Sequence, residues 1–188
     1  MNILFEHLPT SVEIDDREYS INTDFRICLR IVQAYEDPEL TRHEKEVVLL
    51  NLLYNEIPEN LQEAFRLGMK FLNCGDENQD AYVRAEKVFS LEKDAKYIYT
   101  AMRQSYGIDL ENIDYLHWWK WCSMFSDLRE DCFFRRLIDL RYRRSRGKLT
   151  KEEREYCARI DDILKLPTNY TVEEYEAKNE FLRLLGKS

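Results

Sequence analysis

Glycine and proline are scarce in this chain, which has 188 residues but only 5 glycines and 4 prolines. An all-β protein with many tight turns needs more of both, so the composition disfavours that fold class. Apolar runs are also short, and none approaches the roughly 18 residues that a membrane-spanning helix requires. The opening residues MNILFEHLPTSVEI lack the basic and then apolar layout of a signal peptide. These absences predict a soluble, cytoplasmic protein that does not associate with a membrane.

The cysteines show no spacing typical of disulfides or metal sites. The five are odd in number, scattered along the chain and never separated as CxxC. Cys28, Cys122 and Cys157 lie among apolar positions of predicted helices, where a thiol acts as a small hydrophobic group. This usage is typical of a protein in a reducing cytosol.

Sequence signatures of catalysis and of metal binding are missing as well. The three histidines, His7, His43 and His117, fall in three different predicted elements. No serine is flanked by glycines, and no two glycines lie close enough to form a phosphate-binding loop. We therefore expect neither an enzyme nor a bound metal or cofactor.

Acidic residues outnumber basic ones by 36 to 28, which gives a formal net charge of -8. A chain of this sign is not drawn as a whole to nucleic acid or to anionic lipid. The stretch 135–148 departs from this balance, with seven basic residues and Asp139 as its only acid. Such a stretch can bind phosphates, stabilise the C-terminal end of a helix, or dock onto an acidic surface such as a second copy of the chain. We favour the last two, because no aromatic platform or recognition-helix pattern accompanies the arginines.

Hydrophobic residues make up 44% of the chain and charged residues 34%, as expected for helices with one buried and one solvated face. We predict a mainly α fold, a compact helical domain of about six to eight helices with a short N-terminal β-hairpin. Three capping boxes support the helical prediction, because Thr followed three residues later by Glu marks a helix start. They are formed by Thr41 with Glu44, Thr150 with Glu153, and Thr171 with Glu174.

The hairpin prediction rests on residues 12–14 and 19–21, which alternate apolar and polar side chains around the turn residues 15–17. We divide the chain into this hairpin segment at 1–22, a helical domain at 23–167 and a C-terminal helix at 168–188. The polar, unpatterned stretch 75–90 is predicted to be a joint within the helical domain.

Further helix boundaries follow from single residues. Pro58 is predicted to open a helix as its first residue, and Ser90 to cap a helix that ends at Gly107. A later helix is predicted over residues 155–164, and Pro167 prevents its continuation.

Tryptophan is concentrated in one predicted helix. One face of that helix and the strip beside it are apolar or aromatic, at Tyr115, His117, Trp118, Trp119, Trp121, Cys122, Met124, Phe125 and Leu128. This surface is wider than the stripe of roughly 100° that an ordinary surface helix shows. The helix is therefore either central to its own domain or half covered by a partner. We favour the central position, because aromatic residues usually fill cores.

Four strings follow one another along the chain: VEIDDREYSINTDFR, EKDAKYIYTAMRQSYGIDL, LHWWKW, and FFRRLIDLRYR with the following KEEREY. Together they resemble a family of tailed-bacteriophage proteins, the gene-product-fifteen family, from about Pro9 to Pro167. Relatives tend to have Asp-Gly at the hairpin turn, where this chain has Asp15 and Asp16. This departure is expected to loosen the turn.

The resemblance implies a gene that lies among phage tail-morphogenesis genes, near the tape-measure gene. Proteins encoded at that position are commonly tail assembly chaperones, which bind the tape-measure protein and keep its long helices from aggregating. We accordingly expect a non-enzymatic assembly factor whose partner is the tape-measure protein or another tail protein. A second copy of the chain, in a homo-oligomer, is a further candidate partner. Aromatic and arginine side chains are common interface anchors, so the candidate protein-binding residues are Trp118, Trp121, Arg141 and Arg144.

Two other functions are compatible with the same residues. A nucleic-acid-binding or regulatory phage protein would use the basic stretch 135–148, and its binding would weaken steeply with salt. A structural tail component would remain in the virion, whereas a chaperone would be absent from finished particles. We rank both below the assembly factor that the resemblance implies. Nucleic-acid binding is further disfavoured because the chain as a whole is acidic and no recognition pattern accompanies its arginines.

Overall fold

A computed structural model describes residues 5–76 and 88–167. These residues form two compact units: residues 5–76 with Tyr115–Trp119 make up the first, and residues 88–114 with Lys120–Pro167 the second. Most of the joint predicted at 75–90 lies outside the described residues, and so do the C-terminal helix at 168–188 and its capping box. The division into 1–22, 23–167 and 168–188 stays a prediction.

The described residues contain eight α-helices and one two-stranded antiparallel sheet, which confirms the mainly α fold with an N-terminal hairpin. The strands are β1 (Ser11–Ile14) and β2 (Arg17–Ser20). The helices are α1 (Phe25–Glu36), α2 (Arg42–Leu53), α3 (Leu61–Leu72), α4 (Ala95–Tyr106), α5 (Trp118–Ser126), α6 (Phe133–Ser145), α7 (Lys151–Arg159) and α8 (Asp161–Leu164). None of these described helices is long and apolar enough to cross a bilayer.

The hairpin turn has two residues, one fewer than predicted, because Arg17 pairs with Ile14 as the first residue of β2. Asp15 and Asp16 have φ values of 51° and 60°. This left-handed geometry at both central residues is that of a type I′ turn, which matches the twist of a hairpin. The Asp15 carboxylate accepts a hydrogen bond from Nδ2 of Asn60 at 3.0 Å, so the turn is held against the start of α3.

In the first unit, backbone hydrogen bonds join the hairpin to the helices. The Asn22 N–H donates to the Leu53 carbonyl at 2.7 Å, which fixes the chain after β2 beside the end of α2. The helices α2 and α3 approach closely at Gly68, where an added Cβ would lie 2.7 Å from a methyl carbon of Leu49. The core beneath the hairpin is formed by Ile14, Tyr19, Phe25, Cys28, Ile31, Leu49, Leu53, Ala64 and Phe71.

In the second unit, α4 packs against α6, and α7 and α8 close over the far end of α6. A buried apolar cluster holds these helices together, with partly buried aromatic rings around it. Its members are Leu137, Leu140, Cys157 and Leu164, and Tyr97, Phe133 and Tyr156 pack against them. The predicted end of α4 is confirmed, because Gly107 has φ 68° and donates its N–H to the Arg103 carbonyl.

Three predicted helix boundaries are wrong. Helix α3 begins after Asn60, whose side-chain oxygen accepts from the Glu63 N–H at 3.2 Å, so Pro58 precedes the helix. Ser90 caps a turn ahead of α4, because its Oγ accepts from the Lys93 N–H. The helix predicted over 155–164 is two helices, since the chain departs from helical backbone at Ile160, with φ -114°.

The turn geometry predicts that replacing Asp16 by glycine stabilises the first unit. Glycine adopts φ 60° without the steric cost that a Cβ brings, and we expect a gain of about 1 kcal/mol in the free energy of unfolding. Urea unfolding followed by circular dichroism measures this change. Asp16→Ala is the matched control: it removes the same charge but keeps a Cβ, and it loses the tolerance of aspartate for this region, so it should destabilise. A lower unfolding midpoint for Asp16→Gly than for the parent chain would contradict the argument.

Candidate functional site

The first two tryptophans of α5 cap the C-terminal end of α3 within the first unit. Nε1 of Trp118 donates to the Leu72 carbonyl at 2.9 Å, and Nε1 of Trp119 donates to the Phe71 carbonyl at 2.8 Å. A helix leaves its last four carbonyls without intrahelical partners, and these two indoles satisfy two of them. Their large rings are thereby buried without leaving the polar N–H unsatisfied.

His117 joins this arrangement through both of its ring nitrogens. Nε2 lies 3.0 Å from the Pro9 carbonyl, and Nδ1 accepts from the Trp119 N–H at 3.0 Å. The Trp118 N–H donates to the Thr23 carbonyl at 2.7 Å, so the residues before α5 pair with the segment that leads into α1. This histidine therefore has a structural position between the N-terminal segment and the first turn of α5.

Trp121 belongs to the second unit, where it is part of an aromatic cluster. Its ring stacks on Phe125, with centroids 4.8 Å apart and planes 13° apart. Phe125 in turn packs on Phe134 at 5.6 Å and on Phe89 at 5.3 Å. The prediction that the tryptophans fill the interior is confirmed, because Trp118, Trp119 and Trp121 are all buried.

Arg141 forms a buried ion pair with Asp94. Its Nη1 lies 2.5 Å from one carboxylate oxygen and its Nη2 lies 2.9 Å from the other. The remaining N–H groups donate to three backbone carbonyls, at Val88 (3.1 Å), Ile163 (2.7 Å) and Leu164 (3.0 Å). All five donors of the guanidinium are used, which is the condition under which a charge can be buried.

Arg144 and Arg143 are also paired inside the second unit. Nη1 of Arg144 lies 2.8 Å from an Asp161 oxygen, and Lys165 and Arg144 together lower the pKa of the Asp161 carboxyl through hydrogen bonds. Arg143 contacts both oxygens of Glu153, at 2.9 and 2.7 Å, and lowers the pKa of that carboxyl. Three of the seven basic residues in the stretch 135–148, Arg141, Arg143 and Arg144, are therefore paired with acids of the same unit.

Three of the four candidate protein-binding residues are buried within the fold, so whether they contact a partner stays a prediction. Trp118, Trp121 and Arg141 are only 2%, 4% and 7% exposed, because Trp118 and Arg141 donate to groups inside the fold and the Trp121 ring stacks on Phe125. Arg144 is the one that reaches the surface, with 44% of its side chain exposed. Whether Arg144 contacts a partner stays a prediction.

The structure presents a groove of mixed apolar and charged lining on the first unit, between β1 and the helices α2 and α3. We call it the β1–α2–α3 groove; its volume is about 860 Å³. Ile14, Leu50 and Phe65 line it as buried or half-buried residues, while Val47 and Leu61 stand at its sides with 42% and 52% exposure. Accessible apolar side chains that share one groove are a feature of protein-binding surfaces.

Charged residues surround this groove, and several of them pair with each other. Arg42 pairs with Glu46 at 3.0 Å, and Arg66 pairs with Glu63 at 2.6 Å. Arg66 also lowers the pKa of the Glu63 carboxyl by hydrogen bonding. Two more carboxylates line the groove at its hairpin end, Glu13 and Asp15, and within residues 5–76 and 88–167 neither has a cationic partner.

Sequence reasoning missed both Asp94 and the exposure of the groove. Helical periodicity groups Val47 and Leu61 with the other apolar residues of their helices, but it does not distinguish a core face from the side of a groove. Asp94 was passed over because one acid among many carries no signal of its own. Its signal is spatial, since the partner Arg141 is 47 residues away.

Comparison with known proteins gives one finding. A family model described as Bacteriophage Gp15 protein matches residues 4–166. No curated protein and no solved structure matches the chain. The family match confirms the resemblance seen in the four sequence strings.

The geometry of Arg141 predicts a large difference between two arginines of the same helix. Arg141→Met leaves the buried Asp94 carboxylate with the Ser90 N–H but without its cation, and it removes the donors from three carbonyls, so we expect a loss of about 3–5 kcal/mol in the free energy of unfolding. Arg144→Met removes only a partly exposed ion pair and should cost about 1 kcal/mol or less. Chemical unfolding followed by tryptophan fluorescence compares the two variants.

A third variant separates the charge of Arg141 from its geometry. Arg141→Lys keeps the positive charge but cannot reproduce the planar fork that reaches both oxygens of Asp94 and the carbonyls, so it should remain strongly destabilised. Equal stability of the Arg141 and Arg144 variants, or full recovery by lysine, would show that the hydrogen-bond network is not what holds this unit.

Proposed function

The chain belongs to the Bacteriophage Gp15 protein family, and on that ground we propose that it is a non-enzymatic tail morphogenesis factor, a tail assembly chaperone that binds the tape-measure protein. The observation that carries the proposal is the family match over residues 4–166. The family resemblance implies a gene beside the tape-measure gene, and a chaperone is the common product of that position. The protein then acts in the cytoplasm of the bacterial host, where the tape-measure protein is synthesised.

The fold supports a binding role through the β1–α2–α3 groove. A chaperone for long helices needs an accessible apolar surface that can cover the apolar face of its client. Val47 and Leu61 offer such a surface without any rearrangement of the first unit. The charged groups around the groove provide the polar rim that accompanies protein interfaces.

The buried polar groups of the described chain support a non-catalytic role. Arg141 and Asp94 form hydrogen bonds with each other and with backbone groups. His117 directs one ring nitrogen to the Pro9 carbonyl and the other to the Trp119 N–H. Groups used in this way join parts of the fold and are not aimed at a substrate.

The nucleic-acid alternative loses support from the pairing of the basic stretch. Arg141, Arg143 and Arg144 each contact an aspartate or glutamate of the same unit. A phosphate backbone would have to compete with these carboxylates for the same donors. We therefore do not put nucleic-acid binding forward as a second function.

Co-expression with the tape-measure protein encoded beside it tests the proposal. We expect the tape-measure protein to become several-fold more soluble when this chain is present and to co-purify with it, because its apolar helix faces are then covered. The measurement is the soluble fraction with and without this chain, followed by size-exclusion chromatography of the complex. An unrelated helical protein of similar size serves as the control.

Two results would contradict the chaperone assignment. In the first, the tape-measure protein is equally soluble and equally unbound in both expressions. In the second, mass spectrometry finds this chain in purified virions at a stoichiometric level, which would make it a structural tail component.

A further inference from the structure

We propose that the β1–α2–α3 groove is the docking site for an amphipathic helix of a partner protein, with lysine or arginine at the end of that helix that lies against the hairpin turn. The proposal deepens the proposed function, on which it rests for the identity of the partner. The position of the docking site follows from the residues that line the groove.

The apolar side chains of the groove have the spacing that receives a helix. Val47 and Leu50 are three residues apart on α2, and Leu61 and Phe65 are four residues apart on α3, so each pair lies on one face of its helix. Ile14 of β1 lines the groove from the hairpin side. A helix recognised in a groove presents apolar residues at i, i+3, i+4 and i+7, which fits between two such pairs.

The charge along the groove is uneven, and this gives the occupant an orientation. Beside α2 and α3, Glu46 and Glu63 are matched by Arg42 and Arg66. At the hairpin end, Glu13 and Asp15 line the groove; Asn60 donates to Asp15, and neither carboxylate is paired with a cation among the described residues. A basic side chain of a partner would complement these two carboxylates, and opposite charges across an interface fix its register.

The hairpin itself adds to the negative potential at that end. Glu13 lies directly across the sheet from Glu18, and like charges in opposite positions destabilise a strand pair. The one cation of the turn, Arg17, is turned away, because its Nη2 contacts both oxygens of Glu56 at 2.7 and 2.9 Å. Ser11 donates a hydrogen bond to Glu18, but neither Glu13 nor Glu18 is paired with a cation among the described residues, so a cation supplied by a partner would reduce their repulsion.

The first arm of the test concerns the apolar side chains. The probe is a fluorescein-labelled amphipathic helical peptide of leucine and alanine, with lysines at one end, titrated with the full-length chain and followed by anisotropy. Val47→Glu and Leu61→Glu should each weaken binding by about tenfold or more. Ile57→Glu is the matched control, because Ile57 is 46% exposed in the same unit but does not line the groove, and it should leave binding unchanged.

The second arm concerns charge. Glu13→Lys should weaken binding of the lysine-ended peptide by about tenfold and strengthen binding of an otherwise identical peptide that ends in glutamates. Glu39→Lys makes the same charge change at an exposed position away from the groove, so it controls for net charge. Circular dichroism of each variant verifies that the exposed substitutions leave the fold intact.

Several results would overturn the proposal. The first is that neither peptide binds the parent chain. The second is that Val47→Glu and Ile57→Glu weaken peptide binding equally. The third is that Glu13→Lys and Glu39→Lys change peptide affinity equally. Sedimentation showing that Val47→Glu dissociates a dimer of the parent chain would also overturn it, because the occupant would then be a second copy.

The groove and the proposed function can fail separately. If the tape-measure protein co-purifies equally with the parent chain and with Val47→Glu, the groove is not its docking site, whereas the chaperone function is supported. If the peptides follow the expected pattern while the tape-measure protein does not bind, the groove stands and its client is a different protein.

Discussion

The buried pair of Arg141 and Asp94 is the interaction on which the second unit depends. Taking a guanidinium and a carboxylate out of water is costly, and the cost is offset only when every hydrogen-bonding group finds a partner. Here Asp94 stands at the first residue before α4, and Arg141 binds the last carbonyls of α8. The negative charge thus lies at a helix N-terminus and the positive charge at a C-terminus, as both helix dipoles favour. One pair therefore joins α4, α6 and α8, and Lys93 adds its ammonium to the carbonyls of Asp162 and Lys165.

The first unit solves the same problem with neutral groups. Indole N–H groups of Trp118 and Trp119 satisfy carbonyls at the end of α3, and His117 bonds a carbonyl near the N-terminus. Gly75 follows α3 with φ 94°, a conformation that favours glycine, and an added Cβ there would make a tight contact of 3.3 Å with the Trp119 ring. Large aromatic residues with one polar atom suit this use, because they fill volume and bind a helix end at once. The aromatic-rich segment has a composition typical of an interface, but Trp118 and Trp119 connect elements inside the first unit.

Local signals made much of this fold predictable. The capping boxes at Thr41 and Thr150 form as expected, and Gly107 ends α4 in the left-handed conformation. What could not be predicted depends on pairs that are distant in sequence. Arg141 appeared to be one arginine of a basic surface, and only the fold brings Asp94, 47 residues away, within hydrogen-bonding distance. The solvent exposure of Val47 could not be predicted for the same reason. Its position in the helix shows which face of α2 it lies on, but not whether another element covers that face.

Charge gives the clearest case of a sequence signal that changes its meaning in the fold. The stretch 135–148 is the most basic part of the chain, yet Arg141 and Arg143 form ion pairs with Asp94 and Glu153 of their own unit. In the sequence Glu13 and Asp15 carry no binding signal, because two carboxylates near a turn are ordinary in a chain with a net charge of -8. In the folded chain Arg17 pairs with Glu56, whereas Glu13 and Asp15 line the accessible β1–α2–α3 groove. A binding surface is expected where apolar exposure and unmatched charge coincide, and that coincidence exists only once the pairs are made.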